Sequence, residues 1–337
     1  GREIIETATF RREPAPSAAP DGDLLIVEDN EYGTAAEDAR RRDFTVNGLF
    51  LDPFGGEILD FVGGLDDLDD RVLRTIGDPQ RRMPEDPVRI LRAIKFSTRL
   101  DFRIDDETWS AMRDCSEDLQ RSAPPRILEE ILRLLRSGTA LGAFKKLGSC
   151  GALAPILPHL AKYLSAEEVK DGRVQGFYRL LESLDADIHS GSDLSNAVLV
   201  ATMVHDLVAA RLERGKSEAP YTARDIAKAA DSTLAPFVAT SRLPKRDAAK
   251  ARRLLALQGK FTNPASERTR PLLFCLTEDF EEALSLFRIR TRARGMGWDI
   301  YEGWVDRARQ AESLSDEALA TERKQGRRKR RRRRKRR

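Results

Sequence analysis

A long succession of helix-forming segments, beginning at Glu85, constrains the fold of this chain more than any other feature. In residues 85–96, Pro87 suits the first turn of a helix, where its missing N–H group costs nothing. A second segment opens at Pro124 and ends at Gly138. Apolar residues recur at helical spacing in both segments: Val88, Leu91 and Ile94, then Ile127, Leu128, Ile131, Leu134 and Leu135. Further amphipathic segments lie at 139–157, 174–188, 194–214, 222–238, 245–258 and 277–313. The sequence therefore predicts a mainly α fold.

Strand-forming patterns are confined to the part before Glu85. Residues 3–11 are rich in β-branched residues and predict one strand, and residues 58–62 predict a short strand between two Gly-Gly pairs. Residues 12–36 contain scattered prolines, glycines and acids without a period, which predicts a loop. We expect a partial α/β head with few strands, followed by an all-helical neck, body and tail.

The charge of the chain is divided unevenly along its length. Residues 323–337 hold thirteen of the 59 lysines and arginines and no acid, so the remaining 46 basic side chains face 55 acidic ones. Such a basic end releases counterions when it binds phosphates, and a targeting signal or an acidic protein surface could use the same residues. Because the rest of the chain is net acidic, RNA is the predicted partner, with Arg327, Arg328, Lys329 and Arg330 as representative RNA-binding residues.

Composition excludes several other classes. No apolar run is long enough to span a bilayer, so no membrane partner is expected. Cys115, Cys150 and Cys275 are odd in number and far apart, which favours free thiols over a disulfide framework or a zinc site. This pattern predicts a reducing, cytoplasmic location.

Three polar residues follow one another at three-residue spacing in 85–96: Asp86, Arg89 and Arg92. They form a polar stripe beside the apolar one. A carboxylate and a guanidinium held side by side can accept from and donate to the edge of a nucleobase. The alternative is an ordinary Asp–Arg pair on a solvated helix.

Three segments, 37–47, 60–68 and 85–96, occur in an order that resembles one family. The first reads Glu-Asp-Ala-Arg-Arg-Arg-Asp-Phe-Thr-Val-Asn and the second reads Asp-Phe-Val-Gly-Gly-Leu-Asp-Asp-Leu. Together they resemble the class II nucleotidyltransferases that extend RNA 3′ ends, namely the bacterial poly(A) polymerases and the CCA-adding tRNA nucleotidyltransferases. The resemblance extends from about residue 3 to residue 309 and is most specific over residues 34–96.

The resemblance implies roles for the residues of the first segment. Asp43 is expected near the sugar of the incoming nucleotide, where its carboxylate could select ribonucleotides, and Arg42 is expected near the phosphates. The alternative for Asp43 is a helix-cap ion pair with Arg42. Asn47 is expected either to support the Asp43 loop or to satisfy local backbone groups.

The second and third segments have implied roles as well. Asp86 and Arg89 resemble the pair that reads the base in place of a template strand, and Arg92 is expected to meet the triphosphate or to brace that pair. Gly63-Gly64 with Asp67 resembles a hinge between head and neck, the alternative being a simple turn.

The metal site is where the sequence departs from the family pattern. Two Mg²⁺ ions held by clustered carboxylates would activate the 3′-hydroxyl and neutralise charge at the α-phosphate. The strand with the paired aspartates, which precedes residue 3 in the family, has no counterpart, so the chain is expected to be truncated at its N-terminus and inactive alone. Glu6 is the candidate metal carboxylate that remains, the alternative being an exposed strand residue.

His205-Asp206 suggests a different chemistry. Some relatives carry a metal phosphohydrolase domain built on such a dipeptide, but the other histidines, His159 and His189, fall in no matching motif. A partly buried helix histidine is the favoured interpretation.

The predicted function is a poly(A) polymerase that adds AMP from ATP to RNA 3′ ends and releases pyrophosphate, with Mg²⁺. Residues 29–34, 243–246 and 292–295 and the basic end favour this branch, while a CCA-adding enzyme and a non-catalytic RNA-binding protein remain alternatives. The predicted domains are a head at 1–75, a neck at 76–135, a helical body at 136–320 and a disordered basic tail at 321–337.

Overall fold

The computed structural model describes residues 7–12, 31–164, 172–213, 221–262 and 270–313. Contacts divide the chain into two units, Gly1–Lys162 and Tyr163–Arg337. The mainly α architecture is confirmed in the described residues, which contain sixteen α-helices and four short strands. The predicted head, neck, body and tail stay predictions.

The first unit combines short strands with helices. Its helices are α1 (Ala35–Arg41), α2 (Gly64–Asp69), α3 (Pro79–Glu85), α4 (Val88–Leu100), α5 (Asp106–Asp114), α6 (Pro124–Arg136), α7 (Ala140–Ser149), α8 (Leu153–Ile156) and most of α9 (Pro158–Tyr163). Two 3₁₀ helices lie at Thr45–Asn47 and Ser116–Arg121. The core of this unit is apolar and contains Phe44, Leu73, Met83, Ile90, Leu91, Ile94, Met112 and Phe144, all fully buried.

The strands of this unit form two separate pairs. Strands β1 (Leu49–Leu51) and β2 (Ile58–Asp60) are antiparallel, with Leu49 opposite Asp60. Strands β3 (Val72–Leu73) and β4 (Arg103–Ile104) are parallel. The strand predicted at 58–62 is confirmed as β2. Of the strand predicted at 3–11, residues 3–6 lie outside the described residues. Residues 7–11 are not a strand in the structure, because their backbone pairs with residues 31–33 only through a single antiparallel bridge between Arg11 and Tyr32.

The second unit is helical throughout its described residues. It contains α10 (Arg173–His189), α11 (Asn196–Glu213), α12 (Ala223–Thr240), α13 (Lys245–Phe261), α14 (Pro271–Cys275), α15 (Phe280–Arg294) and α16 (Trp298–Glu312). Helix α11 is central, since it contacts α10, α12, α13 and α15 and buries twelve of its residues. The rings of Phe261 and Trp304 pack edge to face with centroids 5.4 Å apart, and the Trp304 indole donates to the Phe261 carbonyl over 3.0 Å.

The predicted helices are largely confirmed, with two breaks and one shifted start. In the segment 85–96, Glu85 ends α3 and α4 begins at Val88, because Asp86 precedes a proline and is extended. The segment 277–313 divides into α15 and α16 at Gly295 and Gly297, whose φ angles of 68° and 92° favour glycine. The segment 139–157 divides into α7 and α8. None of the helices in the described ranges is long and apolar enough to cross a membrane.

Candidate nucleotide site

A cleft of about 650 Å³ in the first unit brings the predicted nucleotide residues together. It is lined by residues 8–11, by the turn after α1, by the start of α4 and by Arg126 of α6. All six described residues predicted to bind nucleotide or act on it line this cleft: Arg42, Asp43, Asn47, Asp86, Arg89 and Arg92. Helix α1 ends just before Asp43 because Arg42 takes an extended conformation. The first and third of the three sequence segments thus meet in one cleft.

The carboxylate of Asp43 is held by three donors. Its Oδ1 accepts from Asn47 Nδ2 over 2.9 Å and from the Phe44 amide over 3.0 Å, and its Oδ2 accepts from Arg92 Nε over 2.6 Å. Arg42, the partner in the alternative interpretation, pairs with Asp38 instead. Asn47 therefore contacts the Asp43 side chain directly.

Arg92 braces Asp43 through its guanidinium, and within the described residues it makes no hydrogen bond to the base-reading pair, whose side chains bond to Arg126, Arg82 and Glu85. Its expected contact with the triphosphate stays a prediction. Burial alone would lower the pKa of Arg92, but the Asp43 carboxylate outweighs burial and raises it.

The guanidinium of Arg42 is fixed beside the cleft. Its Nε donates to Asp38 Oδ2 over 3.0 Å, its Nη1 donates to the Asn47 carbonyl over 2.8 Å, and its Cζ lies 4.5 Å from the ring centroid of Phe50. Burial opposes ionisation of Asp38, but the Arg11 amide, Arg41 and Arg42 outweigh burial and lower the pKa of its carboxyl.

Asp86 and Arg89 both line the cleft but do not bond to each other through their side chains. Asp86 Oδ2 accepts from Arg126 Nη2 over 2.7 Å, whereas its buried Oδ1 accepts no hydrogen bond from the described residues. Arg89 is buried and donates through Nη1 to the Arg82 carbonyl over 2.5 Å and to Glu85 Oε2 over 3.4 Å. Burial, with Arg82 nearby, lowers the pKa of Arg89. The alternative of a solvated ion pair is therefore wrong.

The Gly-Gly turn is packed closely against the Asp43 segment. Gly63 has a φ of 75°, and a Cβ added at Gly64 would lie 2.3 Å from the Thr45 carbonyl oxygen. Asp67 accepts from Thr45 Oγ1 over 2.7 Å and from Arg74 Nε over 3.1 Å. Its predicted role as a hinge stays a prediction.

The described carboxylates do not fit a Mg²⁺ site. Asp38, Asp43 and Asp86 each accept a hydrogen bond from an arginine, and the described ranges contain no group of three His, Cys, Asp or Glu side chains arranged for a metal. Glu6 lies outside the described residues, as do Arg327, Arg328, Lys329 and Arg330.

His205 and Asp206 line a separate cavity of about 400 Å³ in the second unit. His205 Nδ1 lies 2.7 Å from Asp206 Oδ1. Burial and the nearby Arg290 lower the pKa of His205, although Asp206 opposes this. A buried helix histidine is the interpretation that these contacts support.

Sequence reasoning missed three residues that hold the site: Arg82, Glu85 and Arg126. Arg82, Glu85 and Arg89 recur at three- and four-residue spacing, a signal that could have been found. Arg126 is forty residues from Asp86, and no local pattern connects them.

Comparison with known proteins identifies the family. The "Poly A polymerase head domain" matches residues 1–74, the "Probable RNA and SrmB- binding site of polymerase A" matches 101–164, and the "Polymerase A arginine-rich C-terminus" matches 217–337. Poly(A) polymerase I of Escherichia coli O6:H1 is 31% identical over 281 residues, which cover 81% of this chain and 60% of that protein. The CCA-adding enzyme of Lactobacillus helveticus is 35% identical over 134 residues, or 40% of this chain and 32% of that enzyme.

Solved structures agree on the fold. The Bacillus stearothermophilus CCA-adding enzyme in complex with CTP superposes with a TM-score of 0.60 and 23% identity, over 89% of this chain and 62% of that one. The Thermotoga maritima CCA-adding enzyme complexed with tRNA gives a TM-score of 0.54 and 18% identity, over 82% and 61%. The chain thus spans about 60% of the length of the E. coli relative, and it belongs to the poly(A) polymerase family, of which the CCA-adding enzymes are close relatives.

Proposed function

We propose that this chain selects ATP and binds RNA as part of a template-independent RNA 3′-end adenylyltransferase. In the proposed reaction an RNA 3′-hydroxyl attacks the α-phosphate of ATP and pyrophosphate leaves. The observation that carries the proposal is the cleft in which Asp43, Asp86 and Arg89 meet. The similarity to Escherichia coli poly(A) polymerase I supports the choice of reaction.

The Asp86 and Arg89 side chains match the hydrogen-bonding edge of adenine. Adenine presents an amino donor beside a ring-nitrogen acceptor, so the unpartnered Asp86 Oδ1 can accept from the amino group. A guanidinium has five N–H donors, and Arg89 keeps donors beyond the Nη1 group bound to Arg82 and Glu85. Guanine and uracil present the reverse order of donor and acceptor, which would leave both side chains unsatisfied.

The side chains around Asp43 suit the rest of the nucleotide. The fixed carboxylate of Asp43 can accept from a ribose 2′-hydroxyl, and Arg42 offers positive charge for the phosphates. Arg92 acts on Asp43 and holds it in place. Mg²⁺ is expected from the family, with Glu6 as a proposed ligand. The described carboxylates do not form its site.

Nucleotide binding by the chain itself tests base selection. Dissociation constants for ATP, CTP, GTP and UTP are measured by calorimetry for the unaltered chain and for Arg89→Ala. Because one bidentate contact to a base is worth about 1–3 kcal/mol, we expect Arg89→Ala to lower the preference for ATP over GTP about tenfold or more. Arg99→Ala, an exposed arginine on the same helix, is the matched control and should change nothing. An unchanged preference in Arg89→Ala would show that Arg89 does not read the base.

Extension assays separate the candidate activities. The full-length protein, including any residues that precede Gly1, is incubated with a generic RNA, or with a tRNA acceptor, and each nucleotide alone. A long ladder with ATP only supports poly(A) addition, and addition that requires CTP before ATP on the tRNA indicates a CCA-adding enzyme. Nucleotide and RNA binding without extension indicates a non-catalytic RNA-binding protein. We also propose a cytoplasmic location, in keeping with the three free thiols.

A further inference from the structure

A buried arginine, Arg82, connects the two sequence motifs of the cleft. Its side chain is 6% exposed. Its Nη2 donates to the carbonyl oxygens of Arg41 and Arg42, over 2.7 and 3.0 Å, at the end of α1. The Arg42 carbonyl belongs to the peptide bond that leads into Asp43. Arg82 therefore holds the backbone that carries the Asp43 carboxylate.

The same arginine also reaches the base-reading side. Its Nη1 donates to Glu85 Oε2 over 2.8 Å, and this oxygen also lies 3.4 Å from Arg89 Nη1. Arg89 Nη1 in turn donates to the Arg82 carbonyl over 2.5 Å. An unbroken chain of hydrogen bonds thus runs from the peptide before Asp43 to the Arg89 guanidinium.

We propose that Arg82 is a positioning residue that sets the distance between Asp43 and Arg89, and thereby the length of nucleotide that the cleft accepts. This inference rests on the proposed function, in which Asp43 contacts the sugar and Arg89 the base. The hydrogen-bonding edge of a purine lies farther from its sugar than that of a pyrimidine. Adenine and cytosine present the same order of donor and acceptor, so this distance, rather than the bonds alone, separates ATP from CTP.

Arginine is required at this position for its geometry. Its planar fork places parallel donors on two carbonyls and a carboxylate at once, whereas the single ammonium of a lysine cannot keep the same spacing. Arg82→Lys retains the positive charge but replaces the planar guanidinium with a single ammonium group. Arg81→Lys is the matched control, because Arg81 is the adjacent residue, pairs with the same Glu85 over 3.1 Å and is 63% exposed.

The experiment measures the dissociation constants of ATP, CTP, dATP and inorganic tripolyphosphate for each variant. In Arg82→Lys we expect the preference for ATP over CTP to fall about tenfold and that for ATP over dATP to fall severalfold. Tripolyphosphate has neither sugar nor base and so contacts neither Asp43 nor Arg89. Its dissociation constant for Arg82→Lys should stay within about twofold of that for the unaltered chain. Arg81→Lys should behave like the unaltered chain. In an Arg89→Ala background, Arg82→Lys should cause little further loss of base preference, because the two residues act as one unit.

Each other outcome has a defined meaning. If Arg82→Lys weakens ATP and CTP equally and lowers the melting temperature, Arg82 has only a structural role and the inference is overturned. If Arg82→Lys does not fold, Glu85→Gln replaces it: a severalfold loss of ATP preference supports the inference, and an unchanged preference overturns it. If the unaltered chain does not prefer ATP, the proposed function fails and this inference fails with it. If the unaltered chain prefers ATP and Arg82→Lys does so equally, the inference alone fails.

Discussion

At the scale of single residues, the charged side chains of the cleft differ in how many hydrogen bonds hold them in place. Asp43 accepts from Asn47, Phe44 and Arg92, so its carboxylate is fixed before a ligand arrives. A fixed acceptor loses little conformational freedom on binding, which favours selective contact with a sugar hydroxyl. Asp86 differs, since its buried Oδ1 accepts no hydrogen bond from the described residues.

Asn47→Ala tests whether this fixation matters. The substitution removes the 2.9 Å bond to Asp43, and a typical hydrogen bond contributes about 1 kcal/mol. We expect the preference for ATP over dATP to fall about fivefold, as measured by competition binding. Asn196→Ala is the control, because it removes a comparable hydrogen bond from a side-chain amide to Asp247 in the second unit. A dATP preference that stays the same in Asn47→Ala would contradict the role of Asp43 at the sugar.

Asp38 should make the first unit sensitive to acid. Its pKa is lowered in the folded state, because its bonds to the Arg11 amide, Arg41 and Arg42 outweigh the cost of burial. A lowered pKa stabilises the fold above the ordinary value of 3.8, and this stabilisation is lost as the pH falls through the folded value. Urea unfolding should therefore show Asp38→Asn as less stable at neutral pH, with the difference shrinking below about pH 4. Asp306→Asn, in an exposed pair, should show no such difference at any pH.

The sequence identified residues that line the cleft better than the residues that hold them in place. Arg42, Asp43, Asn47, Asp86, Arg89 and Arg92 lie in short motifs, and the structure brings them to one cleft. The bonds from Arg82 to the end of α1 and from Arg126 to Asp86 join residues about forty positions apart. Such partners have no common period, so only the folded chain shows them.

At the scale of elements, helices were predictable because their apolar faces repeat over several turns. Helix α6 begins at Pro124 and ends just before Gly138, as these two residues predict. Strands β3 and β4 have two residues each, too few to show an alternating pattern, and their pairing depends on tertiary contacts. The position of α2 follows from packing at Gly64, which no helical propensity would predict.

Gly64→Ala should separate α2 from the 3₁₀ helix at Thr45–Asn47. The added Cβ would lie 2.3 Å from the Thr45 carbonyl oxygen, so the backbone must move. We expect the free energy of unfolding to fall by about 1–3 kcal/mol, and amide exchange to rise over residues 45–70. Gly148→Ala in α7 meets no atom within 4 Å and should be neutral or stabilising by up to about 1 kcal/mol. Equal stability of Gly64→Ala and the unaltered chain would contradict the close packing of this turn.

At the scale of the whole molecule, the charges of the cleft and of the basic end are arranged differently. The cleft proposed for the nucleotide contains charges of both signs, several of them paired, whereas residues 323–337 contain thirteen basic side chains and no acid. A run of basic residues can bind phosphates without reading the sequence of the RNA. Addition of a homopolymer requires RNA binding that does not depend on sequence, because the 3′ end changes with each step.

Removing the residues after Glu322 should therefore weaken RNA binding and change its salt dependence. Each phosphate neutralised on a single strand contributes about 0.7 to the slope of log K against log salt, so the truncated chain should show a flatter slope. Fluorescence anisotropy with a labelled single-stranded RNA at several salt concentrations measures both quantities. A variant in which the order of residues 323–337 is scrambled retains all thirteen basic side chains and should bind like the unaltered chain. If truncation leaves affinity and slope unchanged, the basic end serves a targeting signal or an acidic protein surface instead of RNA.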